Sequence, residues 1–434
     1  MSRGRVAVAE RFEEFFERLC SVIGHADRHE PLRAYLSGLI VPGERKSVEP
    51  MAARVDPRRV SSRHQSMHHF VANAPWDEQA VMAEACHYAV EAFGRRRPIQ
   101  AWVIDDTGIP KKGRHSVGVA RQYCGILGKQ DNCQVAVSVS LAHTSASITA
   151  AYRLYLPKEW AEDAERREKA GVPDDVGFEP KWRISLGLID GLIEQGLQAQ
   201  PVLADAGYGD TMKFRQGLEA RGLRYMVGVK KETAVWPAGS GPLAPKRWSG
   251  RGRPPSRLRR GPHHGPVTIA ELAASVAAGA WRTVRWREGT RGALQSRFAR
   301  VRVRPAHRDY NRLQPHPEQW LVIEWPEGEE EPTKLWLANL PTTMSLRTMV
   351  KLVKIRWRIE RDYQELKSEL GLDHYEGRGW RGFHHHGALC IAAHCFLAAY
   401  RGRLSPPGDE QLIAAELPKG FRARGSPGSG RAPR

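Results

Sequence analysis

The sequence predicts an α/β fold: a mixed sheet interleaved with helices, preceded by an all-helical segment and interrupted by a second, β-rich stretch. Three observations lead there. Apolar residues recur at helical spacing through the first 95 positions. From residue 101 several β-rich runs follow one another and then alternate with helical ones. Between 235 and 266 the texture turns to Pro, Gly and Arg before strand-like runs resume.

The elements can be justified in order. Residues 8–23 place Phe12, Phe15, Phe16, Leu19 and Val22 along one side and acidic residues along the other, an amphipathic helix. Further helices are expected at 45–54, 61–72 and 77–93, where Pro75 breaks the pattern and Asp77 offers an N-cap. A helical domain thus covers 1–95. AWVIDDT from 101, NCQVAVSVSLAHT at 132–144 and AYRLYLP at 151–157 read as successive strands. A helix at 181–195, a strand at 201–208, a helix near 211–221 and a strand at 224–230 complete the first part of the core, 98–232. Strand-like runs at 281–287, 297–304 and 319–325 make 233–332 a basic linker followed by a β-rich insertion. The core resumes at 333–404 with a strand at 333–341 and one long helical pattern from 345 to 370. From 405 to 434 Gly, Pro, Ser and Arg dominate, a composition that buries too little apolar surface to order itself.

Composition narrows the partners. The 434 residues carry a formal charge of +19, with a pI near 9.9, so the summed field attracts polyanions and nucleic acid comes first. No apolar run approaches the 18 or so residues of a membrane span. Cys20, Cys86, Cys124, Cys133, Cys390 and Cys395 form no CxxC pair and no secretory leader is evident, which fits reduced thiols and a cytoplasmic, nucleoid-associated protein.

Two aspartates stand at strand ends. Asp106 closes an apolar strand before Thr107 and Gly108, and Asp205 closes PVLAD. Side chains there line the crevice that binds ligands in open α/β sheets. Two carboxylates in one crevice repel unless a hard divalent cation neutralises them. Asp105 is expected to point to the opposite face of its strand and ranks behind Asp106 as a ligand. A third carboxylate lies in the helix KIRWRIERDYQELKSELGLDHYEGR. Arg356, Glu360 and Lys367 there, spaced by four and seven, share one helical stripe.

The stretch VIDDTGIPKKGRHSVGVARQYCGILGKQDNCQVAVSV (103–139), the segment VLADAGYGD (202–210) and the helix RWRIERDYQELKSELGLDHYEGR (356–378) together resemble bacterial insertion-sequence transposases of the insertion-sequence seven-zero-one group. The likeness extends over about residues 45–400. It implies an RNase H-like catalytic core with a β-rich insertion. It also implies a DDE triad of Asp106, Asp205 and Glu360 that binds Mg²⁺ or Mn²⁺, two ions in all, and cuts and rejoins DNA. Arg356, Glu360 and Lys367 match the Arg, Glu and Lys of the YREK signature, whose tyrosine position holds Val353. Beyond Arg401 the chain departs from the family pattern. The implied partners are double-stranded DNA, both element ends and target, and a second copy of the chain in a synaptic homodimer. A nuclease of the same fold that does not rejoin, and a decayed transposase that only binds DNA, remain open alternatives.

On this reading Arg356 and Lys367 hold phosphates beside the metals, and Lys111 and Lys112 do likewise. The helical pairs within 45–93 have a helix-turn-helix rhythm suited to a DNA groove. KRWSGRGRPPSRLRR at 246–260 carries seven Lys or Arg and no acid, and places Arg251 and Arg253 in an RGRP core suited either to the phosphate backbone or to a narrow minor groove. His384, His385 and His386, with Cys390, His394 and Cys395, lack zinc-site spacing and read as the interior of a helix.

Overall fold

A computed structural model describes residues 3–94, 97–289 and 292–403. The tail expected to be disordered from 405 lies outside them. Five helices come first: α1 (Arg3–Ile23), α2 (His29–Ile40), α3 (Val48–Val55), α4 (Val60–Ala72) and α5 (Glu78–Phe93). Asp77 caps α5 as its position suggests, its side chain accepting from the amides of Gln79 and Ala80. The helix α2 escaped the sequence reading because eight of its residues are buried, on every side, so no amphipathic period shows.

The core begins with β1 (Ala101–Pro110), β2 (Ala120–Cys124), β3 (Lys129–Ala142) and β4 (Ser147–Leu154). Two short helices, α6 (Lys158–Ala161) and α7 (Ala164–Ala170), lead to α8 (Lys181–Glu194), β5 (Val202–Ala204), α9 (Ala206–Gly209), α10 (Met212–Ala220) and β6 (Tyr225–Gly228). Strand β1 runs antiparallel to β3 and parallel to β5, β3 is antiparallel to β4, and β5 is parallel to β6. Three antiparallel strands followed by two parallel ones, in the order β4-β3-β1-β5-β6, make the RNase H-like core.

The insertion continues the same sheet. It comprises β7 (Ala234–Pro237), β8 (Val267–Thr268), α11 (Ile269–Ala274), β9 (Arg282–Gly289), β10 (Gly292–Pro305) and β11 (Gln319–Glu324), followed by the core strand β12 (Lys334–Ala338). Because β12 pairs with β6 on one side and β11 on the other, the sheet runs unbroken through β12, β11, β10 and β7.

The helical pattern from 345 to 370 is three pieces: α12 (Leu346–Lys354), α13 (Trp357–Gln364) and a π-helical turn over Glu365–Glu369. Between α12 and α13 the amides of Ile355 and Arg356 reach back only three residues, to the carbonyls of Leu352 and Val353. No proline or glycine marks the break. Val353, at the signature tyrosine position, is buried among apolar neighbours with Met349, Val350 and Ile359. The last helix, α14 (Trp380–Arg403), lies against α5, α4, α2 and β4. The N-terminal helices and one face of the sheet therefore share a continuous apolar core, in which Phe12 and Phe15 meet Phe396.

Side-chain alternation along β1 separates the two faces of the sheet. Trp102 and Ile104 enter the core shared with α8 and α14, whereas Ala101 and Val103 enter the opposite one, beneath α12 and α13. Leu203 of β5 lies on the α12–α13 side with Val103.

Candidate active site

The same alternation decides which aspartate faces which helix. Asp105 follows Val103 onto the α12–α13 side, where its carboxylate meets Arg356 at 2.6 Å. Asp106 falls on the other side and pairs with Lys181, at the first position of α8. Here the structure corrects the sequence reading, which placed Asp106 beside the other carboxylates and turned Asp105 away: the helix carrying the glutamate covers the face that Asp105 shares with Val103. The register agrees, since Ser138, directly opposite Asp105 on β3, bonds Tyr363 of α13 at 2.8 Å.

Asp205 arrives from the end of β5. Its Oδ1 accepts from the amides of Gly207 and Tyr208 and caps α9, which leaves Oδ2 turned toward Arg356, 4.0 Å away. Close approach of α9 to β6 holds this turn. A Cβ on Gly209 would stand 2.1 Å from the Gly228 carbonyl oxygen, so glycine is required there.

Glu360 projects from α13, one turn beyond Arg356, with Oε1 3.6 Å from the guanidinium and its side chain largely in solvent. The position of α13 is set by Lys354 at the end of α12. Its ammonium sits between both oxygens of the buried Glu324 of β11, at 2.8 and 2.7 Å, and over the Trp286 ring of β9. The insertion therefore clamps the helix just before the turn that delivers Arg356.

Arg356 thus stands among three carboxylates from three elements. Burial pushes the Asp105 carboxyl up to about 7, opposed by Arg356 and reinforced by Asp205 and Asp106. Arg356 is not fully satisfied there, for its Nε is buried without a hydrogen-bond partner. Asp205, Arg356 and Glu360 line a cleft of about 470 Å³ whose far wall, with Lys231, Lys334 and Trp336, comes from β12 and the loop after β6.

Asp105, Asp205 and Glu360 offer only hard oxygen donors, the set that suits magnesium or manganese. Among the described residues no three His, Cys, Asp or Glu side chains converge closely enough to hold a metal ion as they stand, because the guanidinium separates them. The chemistry of the donors fits the ion.

The remaining expected contacts divide. Lys367 leaves the Arg356–Glu360 stripe because the π-helical turn widens the helix. It is buried, its ammonium donates to the Gly108 carbonyl at 2.7 Å, and burial lowers its pKa. That position ties the helix to β1 and is closed to a DNA phosphate. Lys111 is likewise occupied, donating to the Tyr375 carbonyl at 2.7 Å, whereas Lys112 is exposed. Arg251 and Arg253 are exposed in an irregular stretch. Arg260 is engaged internally, with the buried Asp309 at 2.7 Å. The three consecutive histidines are helix interior, as read. His384 donates from Nδ1 to the Trp380 carbonyl and accepts the Leu154 amide at Nε2; His386 accepts from the Tyr35 hydroxyl at Nδ1 and donates from Nε2 to the Gly371 carbonyl. Lys181 was not foreseen, and no sequence signal links it to Asp106.

Comparison with known proteins identifies the family. Over residues 18–293, more than half of the chain, the sequence matches the family model described as DDE superfamily endonuclease. A curated relative, a "probable transposase for insertion sequence element IS701" from Microchaete diplosiphon, is 33% identical over 172 residues, 39% of this chain and 42% of that protein. The chain thus spans about two-fifths of that relative's length. Glu360 lies beyond the family match and is joined to the two aspartates by the fold alone. With an RNase H-like core and carboxylates on β1, at the end of β5 and on the helix after the insertion, the chain belongs to the DDE superfamily of endonucleases.

Proposed function

We propose that this protein is a transposase that cuts and rejoins DNA, with Asp105, Asp205 and Glu360 as its metal-binding carboxylates. The observation that carries the reading is the meeting of these three side chains around Arg356, on one face of an RNase H-like sheet. DDE endonucleases generally use divalent metal ions. When bound, two Mg²⁺ or Mn²⁺ ions supply the charge that stabilises the entering and leaving oxygens of a phosphodiester. Asp105, part-buried and paired with Arg356, and Asp205, with one oxygen committed to the α9 cap, have few orientations open to them. Glu360, exposed on its helix, has the freedom to close over the site. Arg356, released from Asp105, is placed to grip non-bridging oxygens of the scissile phosphate in bidentate fashion. A DNA 3′-hydroxyl freed by the first cut can then take the place of water at the same site, so rejoining needs no further cofactor.

Two surfaces supply DNA binding in this reading. In the pair α3–α4 the exposed side of α4 presents Ser61, Ser62, Gln65, His68 and His69, and α4 contains no acid. Such groups donate and accept hydrogen bonds at base edges, with exposed Arg58 beside them for phosphate. The stretch around Arg251, Arg253 and Arg257 tracks the phosphate backbone. Replacing these three arginines by alanine is expected to weaken binding to all sequences and to flatten log K against log salt by up to about 0.9 per arginine. An unchanged slope would remove the stretch from the interface. Element ends and target are the two DNA partners, a homodimer the synaptic unit, and the nucleoid the place of action.

The deciding experiment incubates the protein with Mg²⁺ or Mn²⁺, a fragment carrying the ends of its own element, and a supercoiled target. Nicks at the ends together with joined products are expected. Nicks without joining would leave a nuclease, and binding without nicks a DNA-binding protein.

A further inference from the structure

The β2–β3 hairpin carries an apolar tip that nothing in the active site uses. Its loop is Gly125-Ile126-Leu127-Gly128, closed by the Leu127 amide on the Cys124 carbonyl at 3.0 Å and the Gly128 amide on the Gly125 carbonyl at 3.3 Å, with Gly128 at φ +64°. Four-residue hairpin loops of this kind hold their apex side chains outward. Ile126 is 58% exposed, Leu127 43% and Tyr123, on the adjoining strand, 61%. Single exposed apolar residues need no explanation, but three at one protruding tip mark an interaction surface.

Charge indicates the partner. From Thr107 to Gln130 the chain has no Asp or Glu, yet it carries Lys111, Lys112, Arg114, Arg121 and Lys129. Arg121 shares the strand face of Tyr123, two residues on, and Lys112, Arg114 and Lys129 are exposed. The first acid beyond the loop, Asp131, is engaged by Lys129 at 3.3 Å. An apolar wedge with cations on its own strands and on the loop beside them suits a duplex whose phosphates flank an opened base step.

Reach supports the same partner. Asp105 sits opposite Ser138, nine positions along β3 from Lys129. At about 3.3 Å per residue the tip lies roughly 30 Å from the carboxylate, close to one turn of B-DNA. We propose that Ile126, Leu127 and Tyr123 form a wedge that unstacks the DNA about one helical turn from the scissile phosphate. The proposal rests on the reading of the chain as a DNA-cutting enzyme.

The test probes complexes of an end-bearing duplex, without divalent metal, with permanganate, which oxidises unstacked thymines. The full-length protein should create a hyper-reactive thymine about nine to ten base pairs from the nick position. Ile126→Ser with Leu127→Ser should abolish that reactivity while affinity stays within about threefold, since the neighbouring cations are intact. With Mn²⁺ this variant should nick paired DNA more slowly and recover on a duplex mismatched at that step. If its melting curve is lowered, Tyr123→Ser serves as the independent variant. Wild-type reactivity in both variants would overturn the wedge. So would a loss of self-association in sedimentation with the permanganate pattern unchanged, which would assign the tip to an interface between copies. If the unaltered protein nicks DNA without a hyper-reactive thymine, the wedge fails and the endonuclease stands; if it neither binds nor nicks, both fail.

Discussion

Alanine at Asp105, Asp205 or Glu360 is expected to lower metal-dependent nicking at least a thousandfold, while gel-shift affinity for the same DNA changes little. Each substitution removes a hard oxygen from a site whose charge stabilisation of the transition state is worth several kcal/mol, and about 4 kcal/mol corresponds to three decades of rate. Asp106→Asn is the informative companion. Asp106 faces the α8 side and pairs with the partly exposed Lys181, so its amide should retain nicking within about tenfold, the modest cost of one part-exposed ion pair. The opposite ranking, with Asp106→Asn inactive and Asp105→Ala active, would mean that the glutamate helix does not cover the face shown.

Acidification is expected to loosen the packing of α14 against β4 through His384 and against α2 through His386. Burial lowers both to about 4 from the ordinary 6.5, and in each ring one nitrogen donates while the other accepts, so the neutral form is the one that fits. The unfolded chain takes up these protons first as pH falls below 6.5. Stability is therefore complete above that value and is lost progressively toward pH 4, by about 2 kcal/mol per histidine at pH 5. His385, flanked by the carbonyls of Val71 and Trp76 on its two ring nitrogens, is also lowered to about 4 by burial and adds to the same loss, whereas Asp105, raised to about 7, acts in the opposite sense. The histidines are isolated by comparing the parent with the variant His384→Asn, His386→Asn. Between pH 7.5 and 5.0 the parent should lose several degrees more of its melting temperature than the variant. Equal losses would show that these rings do not couple pH to folding.

Much of this was legible from residue types and spacing, and the failures at the site share one cause. Periodicity found α1, α3, α4, α5 and α8, and strand texture found β1, β3 and β4, because local pattern and burial coincide there. Alternation already showed that Asp105 and Asp106 point oppositely. Which of them faces the glutamate depends on a helix 251 positions away, and no local rule reaches that far. Lys367 failed for a related reason: a stripe assumes one regular helix, whereas the break at Ile355–Arg356 and the π-helical turn are imposed by packing against β1 and the Glu324–Lys354 pair. The buried all-round α2 and the short β2 carry too weak a period to be seen. The insertion was recognised as β-rich, but its fusion into the core sheet needed the pairing of β12 with both β6 and β11.

The continuous packing of α14 against α5 and the sheet has a consequence for how such an enzyme measures DNA. A reading head on a flexible tether would tolerate variable spacing between the sequence it reads and the bond it cuts. Here α4 and the carboxylate cleft are built on one body, joined through His385 between Val71 and Trp76 and through the rings of Phe12, Phe15 and Phe396. If α4 reads DNA as proposed, the protein acts as a rigid caliper. The interval from recognition sequence to cleaved bond is then fixed by the fold, and an added half-turn of DNA between them carries the recognition bases to the far side of the helix, out of reach of α4.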